Sequence, residues 1–233
     1  MRKHLLLSSF AALLMAAVAA AYADAQPPDA TSPLAPPAAT GRAAELLKPG
    51  PLPEMMMGKA DAPVTIVEYA DLSCPHCAHF HHDVLPKVKA KYIDTGKARL
   101  LFREFPLNSH SLIAFMSVRC APPQAAFPLI SALFKSQSDW IKAASLPALA
   151  DKLFPFAQQV GLTRAAFDAC VPHSDATTSD KQKQLIDAIT KVRERGHNVF
   201  GVNATPTFFV NGEKLSGAGI DDFDKAIAKA LKP

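Results

Sequence analysis

The sequence predicts an α/β fold: a mixed sheet of four or five strands flanked by helices, with a helical block separating a βαβ half from a ββα half. Three observations carry that prediction. Val64-Thr65-Ile66-Val67-Glu68-Tyr69-Ala70 is rich in β-branched residues and apolar on both faces, the pattern of a buried central strand. Thr207-Phe208-Phe209-Val210 is followed by Asn211-Gly212, a strong two-residue hairpin signal. Between these two regions, about a hundred residues carry helical rather than alternating periodicity.

The first half reads as strand, helix, strand. After the central strand, Cys77, Phe80, Val84, Val88 and Tyr92 recur at three- and four-residue steps. They define one helical face between Pro75 and Thr95, with a kink expected at Pro86. Gly96 is a suitable stop, and Ala98 to Phe105 reads as the next strand, parallel to the first through a right-handed crossover. The helical block then runs from Ser109 to Cys120, from Gln124 to about Ile141, and from about Leu146 to Val160 with Pro155 inside. A short helix N-capped by Thr163 ends at Cys170, and a longer one runs from about Ser179 to Glu194. The hairpin pairs residues 207–210 with 213–216. Ile220 to Leu231 closes the chain as an amphipathic helix, with Phe223, Ile227 and Leu231 four apart.

The N-terminal end points to export. Arg2, Lys3 and His4 precede an apolar stretch from Leu5 to about Ala21, followed by Ala21-Tyr22-Ala23 and Ala23-Asp24-Ala25. A basic start, a short apolar middle and an Ala-x-Ala end describe a secretory signal peptide over residues 1–25. The alternative is an uncleaved membrane anchor, against which Ser8 and Ser9 interrupt the run. Residues 26–53 hold eight prolines and a single aliphatic pair, Leu46-Leu47, and read as a Pro/Ala-rich tether. The folded part is then residues 54–233, roughly 180 residues and enough for one core, with the helical block at about 107–200. The net charge of +4 is spread along the chain. Its basic clusters, such as Lys87 to Lys91 and Lys181 to Lys183, lack aromatic interleaving, which argues against a nucleic-acid partner.

In an exported chain, four cysteines either pair or do redox work. Cys74 and Cys77 form a Cys-x-x-Cys pair at a strand-to-helix junction. At the helix start, unpaired N–H groups and the macrodipole favour an anion on Cys74. Pro75 suits the first helical position, and a protonated His76 adds positive charge. These effects favour thiolate over thiol at Cys74, and a low-pKa thiolate is a good leaving group. Cys77, one turn along the apolar face, is the natural resolving thiol. A structural disulfide or half of a metal site is the alternative for such a pair standing alone.

The run from Ile66 to Cys77, ending in Cys74-Pro75-His76-Cys77, and the run from Gly201 to Gly212, containing Thr205-Pro206, together resemble the DsbA-like thiol–disulfide oxidoreductases of the thioredoxin superfamily. The resemblance covers about Gly58 to Leu231. It implies a thioredoxin fold with a helical insertion, and a redox centre at Cys74 to Cys77. It also implies that Pro206, preceded by Thr205, is the family's cis-proline, placed opposite Cys74 so that its backbone can pair with an extended substrate segment. The implied enzyme works in the periplasm without a bound cofactor. It donates disulfides to folding proteins with free cysteines and is reoxidised by a DsbB-like membrane partner. A disulfide isomerase or reductase of the same superfamily is the alternative; no separate dimerisation domain is seen before Glu54, which weakens an isomerase of the dimeric kind.

Three further expectations concern the remaining polar and sulfur-bearing residues. Glu68 stands in an otherwise apolar strand, where it either relays a proton to or from Cys77 or pairs with Arg99 or Arg103. Cys120 and Cys170 fall on apolar faces at the last turns of their helices and are expected to form a structural disulfide, the alternative being two separate buried thiols. His79, His81 and His82 close behind the cysteine pair invite a competing reading as a metal carrier. On a helix, however, His79 and His82 share a face while His81 points elsewhere.

Overall fold

The computed structural model describes residues 41–174 and 178–232. Its strands are Met55–Met57 (β1), Val64–Ala70 (β2), Ala98–Glu104 (β3), Thr207–Val210 (β4) and Glu213–Lys214 (β5), in the spatial order β1-β3-β2-β4-β5. β2 and β3 are parallel, and every other neighbouring pair is antiparallel. β2 is paired on both edges and buried throughout, which is why its composition is continuously apolar and β-branched. The hairpin turn has positive φ at both Asn211 (46°) and Gly212 (89°), as the Asn-Gly dipeptide favours.

The crossover helix, α2, covers residues 75–93 and alternates α turns (Pro75–His79, Leu85–Val88) with π turns (Phe80–Val84, Lys89–Ile93). The expected kink takes the form of a π turn ending just before Leu85-Pro86, where the proline supplies no N–H to the ladder. Phe80, Val84, Val88 and Tyr92 are buried on one face of the sheet with Ile66, Leu100 and Phe208. The closing helix Ile220–Ala230 adds Phe223 and Ile227 to that face.

The insertion comprises α3 (Ser109–Cys120), α4 (Ala126–Lys135), α5 (Gln137–Trp140), α6 (Leu146–Gln159), α7 (Arg164–Cys170) and α8 (Asp180–Phe200). Leu129, Leu133, Trp140, Leu153 and Phe167 build its own core, continuous with Ala70, Cys77 and Phe102 of the sheet half. Cys120 and Cys170 are joined by a disulfide with a Cα–Cα distance of 6.1 Å. The stretch expected as one helix from Gln124 to Ile141 is divided, with Ser136 (φ −109°, ψ 25°) separating α4 from α5. α8 runs past Glu194 to Phe200. Gly196 within it is a close-approach position rather than a stop, since a Cβ there would lie 2.7 Å from the Tyr69 ring. Gly201, left-handed at φ 66°, ends the helix.

Further boundaries differ from expectation: the second hairpin strand is Glu213–Lys214 rather than residues 213–216. β1 was not foreseen, because three consecutive methionines show neither alternation nor β-branching. The tether also stops short of Pro53: residues 41–47 form a helix, α1 (Gly41–Leu47), whose Leu46 is buried with Val67, Tyr69, Leu101 and Phe209. Arg103 donates to the Leu46 carbonyl at 2.8 Å, and Arg195 donates to those of Glu45 and Lys48 at 2.6 and 2.8 Å. One buried leucine and a ring of arginine donors fix a segment whose proline content hid any periodicity. Residues 1–40, on which the expected signal peptide and the rest of the expected tether fall, lie outside the described residues.

Candidate active site

β2 ends at Ala70, and the chain turns through Asp71-Leu72-Ser73 into α2. Cys74 thereby becomes the N-cap (φ −82°, ψ 123°) and Pro75 enters the first turn. Both cysteines carry free thiols. Cys74 is 8% exposed and Cys77 is fully buried. The Cys74 Sγ lies 3.3 Å from the carbonyl oxygen of Thr205, which brings together two motifs 131 residues apart. The Thr205-Pro206 bond is cis. The loop carrying it is held by Thr207 Oγ1 donating to the Ala204 carbonyl at 2.7 Å.

The two sulfurs have opposite protonation chemistry. A hydrogen bond from the Cys77 thiol, helped by the backbone N–H groups of Cys77 and His76, brings Cys74 from 9.0 down to about 5 against the opposing effect of burial. Burial pushes the Cys77 thiol far up, and interaction with Cys74 and the charge of Glu68 reinforce it. The pair therefore holds one thiolate and one proton-bearing thiol at neutral pH. His76 contributes through its backbone, while its exposed side chain lines a groove of about 390 Å³ that also involves Phe80, Thr205, Pro206, Lys214 and Leu215.

Glu68 is fully buried, and its partner is neither Arg99 nor Arg103. Both carboxylate oxygens lie 3.1 Å from His81 Nε2. The reason is strand parity: Glu68 is in register with Phe102, so the odd-numbered Arg99 and Arg103 project to the other face of the sheet. There Arg99 donates to Thr65 Oγ1, and Arg103 reaches Glu54 and the Tyr69 hydroxyl. The three histidines after the cysteines do not converge either. His79 pairs with Asp83 at 2.7 Å on the surface, His82 is exposed and His81 points inward. No group of three His, Cys, Asp or Glu among the described residues is placed to hold a metal ion.

Sequence reasoning missed the residues that hold the Cys74 loop. The buried Asp71 carboxylate accepts from the Ser73 N–H (2.8 Å), the Ser73 hydroxyl and the Leu107 N–H (3.2 Å). Asn108 Nδ2 donates to Ser73 Oγ at 2.8 Å, and Gln137 Nε2 donates to the carbonyls of Leu72 and Cys74 at 2.7 and 3.1 Å. Leu107, Asn108 and Gln137 all come from the region after β3, so the insertion grips the active-site loop directly. A polar residue at a helix start, as Asn108 is for α3, was the available signal.

The thioredoxin family profile matches residues 52–229. A Rickettsia bellii protein named "Putative protein-disulfide oxidoreductase" is 31% identical over 180 residues, covering 77% of this chain and 65% of its own length. The chain spans 60 to 65% of the length of the five Rickettsia relatives it matches. "Disulfide bond formation protein D" of Bacillus subtilis is 27% identical over 189 residues, 76% of this chain and 77% of that protein. Among solved structures, alpha-DsbA1 of Wolbachia pipientis superposes with a TM-score of 0.68 at 32% identity, covering 82% of this chain and 98% of the other. Oxidised BdbD of Bacillus subtilis gives 0.55 at 25% identity, with 77% and 94% covered.

Proposed function

The chain belongs to the DsbA-like disulfide oxidoreductases of the thioredoxin family, and we propose that it is an exported enzyme that donates the Cys74–Cys77 disulfide to folding proteins. A substrate thiolate attacks Cys74 Sγ, the Cys74–Cys77 bond breaks and Cys77 takes up a proton. A second substrate thiolate then attacks the substrate sulfur of the mixed disulfide, and Cys74 leaves as thiolate. Thr205 and Pro206 are the proposed platform for the substrate backbone. His76 and Leu215 in the adjoining groove would contact its side chains.

The observation that carries this reading is the asymmetry of the two thiols: Cys74 lowered to about 5 at a helix start, Cys77 raised by burial. A thiol with a low pKa is a good leaving group, so the reduced state is favoured and the disulfide is readily given away. Export is supported by the signal-like residues 1–25 and by the Cys120–Cys170 disulfide, which suits an oxidising compartment such as the periplasm. The proposed partners are exported proteins with free cysteines and, for reoxidation, a DsbB-like membrane oxidase.

The test is to mix the oxidised protein with a reduced, unfolded protein rich in cysteines and count substrate thiols over time. Donation predicts rapid loss of two substrate thiols per oxidised enzyme. No loss rejects the reading, and a couple as reducing as thioredoxin's, about −270 mV, rejects donation as its direction.

A further inference from the structure

α8 ends at Phe200, and the chain then runs through Gly201 and Val202 into the loop that carries Thr205 and Pro206. Asn203 and Ala204 are exposed, and Thr205 and Pro206 are half-buried, so the loop buries little of itself. Its place is set at its two ends. One end is Thr207, paired with Tyr69 in the sheet. The other is the root at residues 200–202, where Phe200 and Val202 are buried in one cluster with Leu46 of α1 and Phe209 of β4.

Carbonyls at a helix end lack intrahelical donors, and cationic side chains are favoured beside them. Three consecutive carbonyls at this root each take a side-chain donor, and each donor comes from a different element. Arg42 Nη2 of α1 donates to Phe200 at 2.6 Å, Lys214 Nζ of β5 to Gly201 at 3.2 Å and His197 Nδ1 of α8 to Val202 at 3.0 Å. Lys214 also lines the groove beside Pro206, whereas α1 contributes no residue to that groove. Arg42 therefore reaches the loop only through the Phe200 carbonyl, 158 residues along the chain. The helix that carries it is firmly seated. A Cβ on Gly212 would collide with Ala43, which places α1 against the hairpin turn, at the end of β4 remote from Thr207.

We propose that Arg42 is a positioning residue for disulfide transfer: from α1 it fixes the root of the loop, and thereby the Thr205–Pro206 backbone on which an extended protein substrate is laid. The bonds made and broken at Cys74 and Cys77 are unaltered by it. What Arg42 contributes is preorganisation, because a loop held at both ends has less freedom to lose when a substrate segment pairs with it. The substrates that gain are peptides bound through their main chain. A small dithiol that meets only the sulfur gains nothing.

This rests on the redox reading above, and its test separates the two. The full chain, oxidised, is mixed in a single turnover with an extended dithiol peptide of uncharged flanks, or with dithiothreitol, and quenched with acid. The dependence of disulfide opening on peptide concentration gives a half-saturating concentration and a limiting rate. Arg42→Ala is expected to raise the half-saturating concentration about tenfold, the scale of one lost hydrogen bond to a charged group, and to leave the limiting rate within about twofold. Its rate with dithiothreitol is expected to match that of the natural protein. Arg164→Ala, which removes a guanidinium bonded to Asp151 and Asp168 on the insertion, is the control expected to change none of these. An unchanged half-saturating concentration in Arg42→Ala, equal slowing with dithiothreitol, or an equal rise in Arg164→Ala overturns the proposal while leaving donation intact. Absence of transfer by the natural protein to either acceptor instead removes the redox reading itself. Arg42 is exposed, so its replacement leaves the buried core intact and the comparison is made on folded protein.

Discussion

The chain carries two cysteine pairs, and they sit at opposite ends of helices. Cys74 caps the start of α2, with Cys77 one turn inside, and both are free thiols. Cys120 and Cys170 are the last residues of α3 and α7, and they are bonded to each other. At a helix start, unpaired N–H groups favour a thiolate; at a helix end, unpaired carbonyls oppose one. The same residue type is thereby suited to the leaving-group role proposed for Cys74 in the first setting and forms a fixed crosslink in the second. Helix polarity, together with the burial of Cys77, separates chemistry from architecture within one polypeptide.

The most severe way to break this contrast is to exchange the sulfur. Cys74→Ser is expected to abolish disulfide transfer, reducing dithiol oxidation to the uncatalysed rate, whereas Cys120→Ala combined with Cys170→Ala should leave the rate within about twofold. The double alanine variant should instead lose stability. Releasing a crosslink with a separation of 50 residues should cost about 2–4 kcal/mol in urea unfolding. Equal losses of transfer from both exchanges would erase the distinction.

A pH series sharpens it further. Cys74 in the folded, reduced protein titrates near 5, below the 9.0 of an ordinary thiol. The unfolded state therefore binds more protons between those values, and the reduced form gains stability as pH rises through that window. The oxidised form has no Cys74 thiol to ionise. The melting temperature of the reduced protein relative to that of the oxidised one should thus rise as pH increases from about 5, with no such rise below it. The Cys120–Cys170 bond, intact in both forms under mild reduction, contributes nothing to this margin.

The redox motif was legible because its logic is local: a strand, a cysteine, a proline and a helix in sequence order. The long-range pairing of Thr205 with Cys74 became readable through a second motif rather than through any periodicity. What escaped notice depended on partners distant in sequence. Glu68 in an apolar strand signalled a buried partner, but Arg99 and Arg103 are excluded only by the Glu68–Phe102 register, which sequence periodicity does not set. His81, four residues after Cys77, carried the matching helical signal and was set aside as one of three histidines. α1 was hidden by prolines on both sides, although a single Leu46 anchors it. Gln137 looked like an ordinary helix residue, because its value lies in two carbonyls some sixty residues earlier.

Gln137 supplies the smallest test. Gln137→Ala leaves the Leu72 carbonyl without that side-chain donor and should lower the stability of the protein by about 1 kcal/mol in urea unfolding. A loss of that size with transfer retained would place Gln137 among the supports of the Cys74 loop. No measurable loss would remove it from them.

The central claim is that the helix start and Cys77 together make Cys74 a thiolate at neutral pH. The direct measurement is the rate of Cys74 alkylation in the reduced full chain as a function of pH, with ultraviolet thiolate absorbance recorded in parallel. The account predicts a single transition with a midpoint of about 5, and a midpoint near the ordinary 9.0 would contradict it.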